Sequence, residues 1–178
     1  RALLVPADAT RPWIAPMKSR RMSPPSRFAV AAARMALVEA GLAPGEDEAA
    51  ARLEGAPPSR VGVALGTAFG STTITHKILD QCVDPGPEAI SPFLFTESVA
   101  NAHAGQVALE LGLEGPNATI TQGEASAALA VARAADYVET GRADVVLTGG
   151  VDEASPLLHA ILDRLGPSPT AEDQLIRD

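Results

Sequence analysis

The stretch Asn-Ala-Thr-Ile-Thr-Gln-Gly-Glu-Ala-Ser, residues 117–126, joins a short β-branched run to an alanine-rich segment that continues to residue 137. β-Branched residues favour strands and alanine favours helices, so this stretch predicts a strand that turns into a helix. The turn presents Glu124 at the start of the helix. Free backbone N–H groups and a partial positive charge lie there and stabilise an anionic group. Many enzymes place a thiolate or alkoxide at such a turn, whereas this chain places a carboxylate.

Strand and helix signals alternate on both sides of this turn. Apolar runs at residues 61–65 and 144–148 predict buried strands, and a strand, helix and strand of these lengths form a right-handed crossover in a parallel sheet. Ser23 or Ser26 can cap a helix that ends at Gly41. The other predicted elements are helices over residues 72–83, 102–111 and 156–165, an acidic helix over 45–54 and the end of an edge strand over 2–5.

The chain has 178 residues, enough for one domain with its own core. We therefore predict a single domain over residues 1–178, with a basic, proline-punctuated loop at 6–25 and a loose tail at 166–178. No apolar run reaches membrane-spanning length and no signal peptide is recognisable, which predicts a chain without a membrane partner. The single cysteine, Cys82, excludes an internal disulfide and fits a reducing cytoplasm.

Charge is distributed unevenly along the chain. The formal net charge is −8, but residues 1–34 hold seven basic residues and one acid, or +6, so the rest of the chain carries −14. A basic segment on an acidic body indicates a small acidic partner rather than nucleic acid, since the body repels phosphate and only 3% of residues are aromatic. A solvated basic loop is the alternative reading of the same segment.

Two further patterns bear on cofactors and metals. Residues 66–71, Gly-Thr-Ala-Phe-Gly-Ser, follow a predicted strand, but the lysine of a phosphate-binding loop is absent after the second glycine, so a tight turn is predicted. The histidines His76, His103 and His159 form no i, i+4 metal-binding pair, and no cysteine cluster exists. We predict neither a metal nor a cofactor.

Five blocks of sequence, taken in order, resemble the N-terminal half of a β-ketoacyl synthase over about residues 60–165. They are Gly-Val-Ala-Leu-Gly-Thr at 62–67, Ser-Pro-Phe-Leu at 91–94, Asn-Ala-His-Ala-Gly-Gln-Val at 101–107, Leu-Glu-Gly-Pro-Asn-Ala-Thr at 113–119 and Ala-Asp-Val-Val-Leu-Thr-Gly-Gly at 143–150. The earlier segments at 12–14 and 18–23 are similar to chain-length-factor-like and aryl-polyene-type members. The resemblance implies an α/β, thiolase-like layered α-β-α fold, of which this chain is the N-terminal half with a mainly parallel sheet.

The chain departs from the family pattern at residue 124. Ketosynthases carry Thr-Ala-Cys-Ala-Ser at this turn, and alignment on Asn117 and on Ala125-Ser126 places that cysteine at Glu124. A carboxylate cannot hold the acyl chain as a stable thioester, so condensation by this chain is disfavoured. Glu124 is then either an inert helix cap that accepts backbone hydrogen bonds or a general base in decarboxylation. A helix N-terminus favours the ionised carboxylate, which supports the inert reading.

The family's decarboxylating histidines belong to its C-terminal half, and we expect that half to begin after this chain ends. His103 stands where the family has a small or apolar residue and is predicted to be packed or at an interface. Half of the fold on its own is expected to expose the faces of residues 61–65 and 145–147 unless another chain covers them.

The resemblance also implies a partner subunit, in a heterodimer with an active ketosynthase or in a homodimer. In the family two such folds pair across a twofold axis, and a loop of one closes the acyl tunnel of the other. The corresponding interface residues are Ala118, Thr119, Ile120 and Thr121 in the strand, and Phe93, Leu94, Phe95, Thr96, Glu97 and Ser98 in the loop. Glu97 is unusual for an apolar tunnel floor. If the basic segment holds an acidic acyl carrier protein, the residues predicted to dock it are Arg20, Arg21 and Arg27.

These observations predict a non-elongating ketosynthase-like subunit of the chain-length-factor type, working in polyketide, aryl polyene or fatty-acid-like biosynthesis in the cytoplasm. Whether it is an enzyme depends on Glu124. One alternative is a malonyl-carrier-protein decarboxylase or acyltransferase that uses Glu124, and another is a carrier-protein-binding module. A degenerate structural remnant is a third.

Overall fold

The computed structural model describes residues 5–6, 8–43 and 55–165. The predicted acidic helix at 45–54, the loose tail at 166–178 and all of the predicted edge strand except Val5 lie outside these residues. The helices of the described chain are α1 (Pro16–Ser19), α2 (Pro24–Glu39), α3 (Thr72–Val83), α4 (Pro92–Ser98), α5 (Ala102–Leu111), α6 (Ser126–Glu139) and α7 (Pro156–Leu165). The strands are β1 (Val61–Gly66), β2 (Asn117–Ile120) and β3 (Val145–Gly150).

The three strands form a parallel sheet in the order β2-β1-β3, as the crossover signal predicted. β1 is the central strand, with Val63 opposite Asn117 on one side and Leu147 on the other. The connection from β2 through α6 to β3 therefore passes over β1.

Helices cover both faces of this sheet. Val61 and Val63 share a buried apolar core with residues of α2 and α5, while α6 packs on the opposite face. Successive strand residues point to opposite faces, so Val61 and Val63 face α5 while Gly62 and Gly66 face the other way. The result is a layered α-β-α arrangement with β1 at its centre.

Two glycines let α6 approach the sheet. A Cβ on Gly66 would lie 2.3 Å from the carbonyl carbon of Ser126, and a Cβ on Gly150 would lie 2.7 Å from the Cβ of Ala127. Real Cβ atoms do not come this close, so any side chain at either position would push the start of α6 away. These contacts place the N-terminus of α6 directly over the carboxyl ends of β1 and β3.

Several predicted elements have the bounds that the sequence indicated. Residues 72–83, 102–111 and 156–165 are helices α3, α5 and α7, and Ser23 caps α2 by accepting a hydrogen bond from the Ser26 amide. The predicted loop at 6–25 contains the short helix α1, and the predicted loop at 93–98 is helix α4.

Two predictions about burial were wrong. The strand at 61–65 is almost entirely buried, as its apolar run predicted, because α5 and α6 cover both faces of β1; the expectation that half of the fold would expose this strand was wrong. The strand predicted to be buried at 144–148 is only partly so, and Leu147 is its only fully buried residue. β3 lies at the edge of the described sheet, where one flank has no neighbouring strand. None of the helices in the described ranges is long and apolar enough to cross a membrane.

Candidate functional site

The predicted strand-to-helix turn is present between β2 and α6. A 3-10 turn, Gly123–Ala125, connects the two elements, and Gly123 has a left-handed φ of 55°. The hydroxyl of Ser126 accepts a hydrogen bond from the Gln122 amide at 2.8 Å and donates one to the Gly123 carbonyl at 2.6 Å. These two hydrogen bonds of Ser126 hold the turn in place, and Glu124 lies within the turn.

Glu124 lies in solvent at this turn. Its side chain is exposed, and its carboxylate makes no hydrogen bond with any residue that the structure describes. The N-cap residue of α6 is Ala125, and no side chain caps the helix. The prediction that Glu124 serves as a helix cap is therefore wrong. The Glu124 carboxylate is thus exposed and without a hydrogen-bond partner among the described residues.

The glycine-rich turn after β1 is occupied by a carboxylate of the same chain. Asp152 accepts hydrogen bonds from the Thr67 hydroxyl at 2.7 Å and from the amides of Ala68 and Phe69, each at 3.0 Å. These amides are the donors that a phosphate would need, so the tight-turn prediction agrees with the structure. The neighbouring Glu153 accepts from the Thr72 hydroxyl at 2.9 Å and from the Thr73 amide.

Asp152 and Glu153 thus tie the end of β3 to the start of α3, and sequence reasoning missed both. The available signal was an acidic pair placed directly after a strand that runs beside the glycine-rich turn. Parallel neighbouring strands end at the same edge of a sheet, which brings their following residues together.

Glu97 lies inside the chain rather than on a partner-facing loop. Its side chain is 1% exposed. One carboxylate oxygen accepts hydrogen bonds from the Ser23 amide and the Ser26 hydroxyl, both at 2.8 Å, and the other accepts from the Gln106 side-chain amide at 2.7 Å. The prediction that Glu97 faces a partner is corrected accordingly, because the start of α2 draws the carboxylate inward.

His103 is buried beside Glu97, which agrees with the prediction of a packed histidine. Its Nδ1 lies 3.1 Å from the Ser26 hydroxyl, which already donates to Glu97, so Nδ1–H is the donor to Ser26. Nε2 has no hydrogen-bond partner in the described residues. Burial lowers the pKa of His103, and the negative charges of Glu97, Asp152 and Glu153 oppose this shift. The imidazole is therefore neutral at neutral pH.

Ser26, His103 and Glu97 are the residue types of a nucleophilic triad, but their arrangement cannot act as one. In a triad the carboxylate orients the imidazole, and the serine faces the substrate. Here the carboxylate binds the serine, and all three side chains are almost completely buried. The cluster therefore belongs to the packing of α2, α4 and α5.

The other predicted interface residues are partly or fully accessible. Phe93 and Phe95 of α4 are 46% and 61% exposed, and Leu94 is half-buried. The strand residues Ala118, Thr119 and Ile120 are half-buried, and Thr121 is exposed. Within the described sheet β2 pairs only with β1, so its outer edge has unpaired backbone groups.

The basic segment is only partly available for docking. Arg20 and Arg21 are exposed and Arg27 is half-buried, whereas Arg34 is buried in α2. The Arg34 guanidinium donates to the Trp13 carbonyl and lies 3.6 Å from Glu110. Glu110 also receives the Lys18 ammonium at 2.9 Å, so part of the positive charge holds the N-terminal segment on α5.

Apolar surface is left uncovered on two sides. Leu129, Val131 and Val138 of α6 are each about half exposed. Between α2 and β3 an apolar groove of about 340 Å³ is lined by alanines of α2 and by all six residues of β3. In the described ranges, no group of three His, Cys, Asp or Glu side chains is close enough to hold a metal ion.

Comparison with known proteins assigns the chain to a family. Residues 5–175 match the sequence model of the β-ketoacyl synthase N-terminal domain, and the chain belongs to that family. It is 32% identical over 145 residues to 3-oxoacyl-[acyl-carrier-protein] synthase 2 of Staphylococcus aureus, covering 80% of this chain and 32% of the relative. The same enzyme of Rhizobium meliloti (strain 1021) is 32% identical over 150 residues, covering 84% and 33%. The chain thus spans about a third of the length of these relatives.

Solved structures establish the fold. A type II polyketide ketosynthase in complex with its acyl-carrier protein and bound to a hexaketide is similar with a TM-score of 0.75 and 23% identity, over 88% of this chain and 43% of that one. The ishigamide ketosynthase/chain length factor gives 0.72 and 23%, over 92% and 43%. A β-ketoacyl synthase from Burkholderia phymatum STM815 gives 0.72 and 24%, over 97% and 39%. The predicted thiolase-like fold is confirmed.

Proposed function

We propose that this chain is a non-elongating ketosynthase-like subunit of the chain-length-factor type, which pairs with an active β-ketoacyl synthase in polyketide, aryl polyene or fatty-acid-like biosynthesis. The observation that supports the proposal is Glu124, which is exposed and has no hydrogen-bond partner among the described residues, at the turn that the sequence resemblance aligns with the family's acylated cysteine. A carboxylate there cannot accept the acyl chain as a stable thioester. The cytoplasm is the proposed location.

Exposed surface supports a partner subunit. The outer edge of β2 is unpaired in the described sheet, and the apolar side chains of Phe93 and Phe95 are exposed to solvent. Aromatic side chains are enriched in the cores of protein interfaces, and an unpaired strand edge is a template for pairing with another chain. One structurally similar protein is a ketosynthase/chain length factor assembly.

Co-expression with an intact β-ketoacyl synthase from the same genome tests this proposal. We expect the two chains to co-purify as a complex. When the complex is incubated with an acyl-carrier-protein thioester, the mass of the ketosynthase chain should increase by one acyl group and the mass of this chain should not change. Intact-protein mass spectrometry reads both chains at once. A stable acyl adduct on this chain, or a monomer at micromolar concentration by light scattering with no complex, contradicts the proposal.

A second proposed function is decarboxylation of malonyl-carrier protein. Glu124 has no hydrogen-bond partner among the described residues, which favours this function because a general base has to be free to take up a proton. This function predicts that purified protein releases carbon dioxide from malonyl-carrier protein and that Glu124→Gln abolishes the release. Glu114→Gln, which changes another exposed carboxylate, is the matched control. Turnover no higher than the blank rejects this function.

We propose that Arg20, Arg21 and Arg27 bind a carrier protein, since Arg20 and Arg21 are exposed and Arg27 is half-buried. The double variant Arg20→Glu, Arg21→Glu should weaken binding of an acidic carrier protein by about tenfold or more, and added salt should weaken the wild-type interaction. Arg133→Glu, an exposed arginine on α6, is the control. Binding that responds to neither change argues for a solvated basic loop instead.

A further inference from the structure

The hydrogen-bond directions within the buried cluster around Glu97 follow from the chemistry of its members. The cluster consists of Ser23, Ser26, Glu97 and His103, and each of them is no more than 1% exposed. Both carboxylate oxygens of Glu97 accept from amide groups, one from the Ser23 backbone at 2.8 Å and the other from the Gln106 side chain at 2.7 Å. The carboxylate acts only as an acceptor, so the hydrogen of the Ser26 hydroxyl points to Glu97, at 2.8 Å.

The same reasoning fixes the tautomer of His103. Ser26 has already used its hydrogen, so its oxygen accepts from Nδ1–H of His103 at 3.1 Å and from the Ser23 hydroxyl at 3.0 Å. The other ring nitrogen, Nε2, then carries a lone pair, and it has no hydrogen-bond partner among the described residues. A proton added to Nε2 creates a buried, charged donor without an acceptor in that part of the chain, which is costly. The cluster thus fits a neutral ring and not a charged one.

The acidic groups near the imidazole come from two elements. Glu97 lies on α4, and Asp152 and Glu153 lie in the loop after β3. Their negative charges favour the charged ring of His103, but burial disfavours it more strongly and lowers the pKa of His103. Burial therefore decides the charge state although three carboxylates oppose it.

The other elements packed against α5 carry few charges. β1 and β2 have no titratable side chain. α2 carries the exposed Glu39 at its far end, the half-buried Arg27 beside the cluster in sequence, and Arg34, whose guanidinium lies 3.6 Å from Glu110. Glu110 is about two turns beyond His103 on α5. A positive charge at the start of α2 acts in the same direction as burial.

The cluster is also the joint between three helices. Ser23 and Ser26 belong to the start of α2, His103 lies in the first turn of α5, and Glu97 is the only fully buried residue of α4. α4 has seven residues, too few for a helix to be stable without tertiary contacts. α6 packs directly on the three strands and has no part in the cluster. Loss of the cluster should therefore release α4 first.

We propose that the cluster is an acid-sensitive joint: a neutral His103 keeps α4 attached to the starts of α2 and α5, and a proton taken up from water at Nε2 releases α4 while the sheet and α6 stay folded. In the released state both ring N–H groups reach water, so the charge is solvated. Opening is favoured as the pH falls below the ordinary histidine pKa of about 6.5. The joint concerns contacts within this chain alone and does not rest on the proposed function.

Hydrogen exchange of the isolated chain, followed by mass spectrometry at pH 7.5 and 5.5, tests the joint. Each exchange rate is divided by the intrinsic rate at its pH, so that protection can be compared. If only the open state takes up the proton, one pH unit below 6.5 raises the open population about tenfold. We therefore expect protection of the amides of α4 and of Ser23 to fall about tenfold at pH 5.5. Protection of α6 should not change.

Two variants identify the group that takes up the proton. His103→Gln keeps an N–H donor for Ser26 but cannot be charged, so the pH dependence at α4 should disappear. His76→Gln, at an exposed position of α3, should keep it. Three results overturn the joint: equal protection of α4 at both pH values, an equal fall in α4 and α6, or a pH dependence that survives in His103→Gln.

A measurement on the wild-type chain decides the case in which His103→Gln does not fold. Nitrogen-15 shifts of the imidazole rings distinguish the Nδ1–H tautomer from the charged ring, and His76→Gln and His159→Gln assign the other two histidines of the chain. We expect the Nδ1–H tautomer of His103 at pH 7.5, and a charged ring at pH 5.5 only in the molecules in which α4 is open. A charged His103 ring at pH 5.5 with α4 still fully protected overturns the joint.

Discussion

Glu97 and Glu124 are the same residue type in opposite environments. Glu97 is buried and accepts three hydrogen bonds, whereas Glu124 is exposed and accepts none from the described residues. The sequence suggested the reverse, a capping role for Glu124 and a partner-facing one for Glu97. The difference shows that a carboxylate's role depends on the donors that the fold brings to it. A buried carboxylate with three donors stabilises the fold, and an exposed carboxylate is left for chemistry or binding.

The largest expected effect on stability comes from removing Glu97, the buried carboxylate of the two. Glu97→Ala leaves the Ser23 amide, the Ser26 hydroxyl and the Gln106 amide without their acceptor in a buried place. At about 1–3 kcal/mol for each unsatisfied group, we expect a loss of roughly 4 kcal/mol in the free energy of unfolding. Urea denaturation followed by circular dichroism measures it. A loss below about 1 kcal/mol would mean that water replaces the carboxylate at no cost.

Gly66→Ala tests whether the turn that carries Glu124 is fixed by the close packing of α6 on the sheet. The new methyl group would meet the backbone of Ser126 at 2.3 Å, so α6 has to move. We expect a loss of about 3 kcal/mol from overpacking. Gly105→Ala is the control, since a Cβ there meets nothing within 4 Å. Equal thermal midpoints for the two variants would contradict the close approach of α6 to the sheet.

The pH dependence of stability tests the neutral state of His103 beside Glu97. Burial lowers the pKa of His103 in the folded state, so below about pH 6.5 the unfolded chain binds more protons than the folded one. Stability should therefore fall as the pH drops from 7 to 5. His103→Gln should reduce this fall, whereas His76→Gln, at an exposed position, should not. Identical slopes of urea midpoint against pH in all three proteins would argue against a neutral buried imidazole.

The smallest effect on stability is expected from removing Glu124, the exposed carboxylate of the two. Glu124→Ala removes a carboxylate that makes no hydrogen bond with the described chain, so the free energy of unfolding should change by no more than about 0.5 kcal/mol. The same urea experiment used for Glu97→Ala gives the paired value. A loss comparable to that of Glu97→Ala would show that Glu124 has a structural contact and would weaken its assignment to function.

Much of the fold could be predicted because its signals are local. The bounds of α3, α5 and α7 follow from caps, glycines and prolines within a few residues of each end. The turn before α6 follows from a β-branched run that meets an alanine-rich one. The family resemblance could also be recognised from the sequence, because its motifs contain glycines such as Gly66, which the close approach of Ser126 requires.

The strand order and the hydrogen-bond partners of the acidic side chains could not be predicted from the sequence. The exposure of β3 depends on its place at the edge of the described sheet, and that place is decided by strand order rather than by its apolar composition. The pairing of Asp152 with the glycine-rich turn depends on β3 lying beside β1.

The sequence by itself determined which segments are strands and helices, the parallel character of the sheet and the presence of Glu124 at the turn before α6. Those properties follow from backbone preferences and from residues adjacent in the chain. Only the tertiary structure decided that Glu97 is buried and that Glu124 has no partner among the described residues, because two of the three donors to Glu97 come from Ser23 and Ser26, more than 70 positions away. Hydrogen bonds over such separations exist only after the helices have packed.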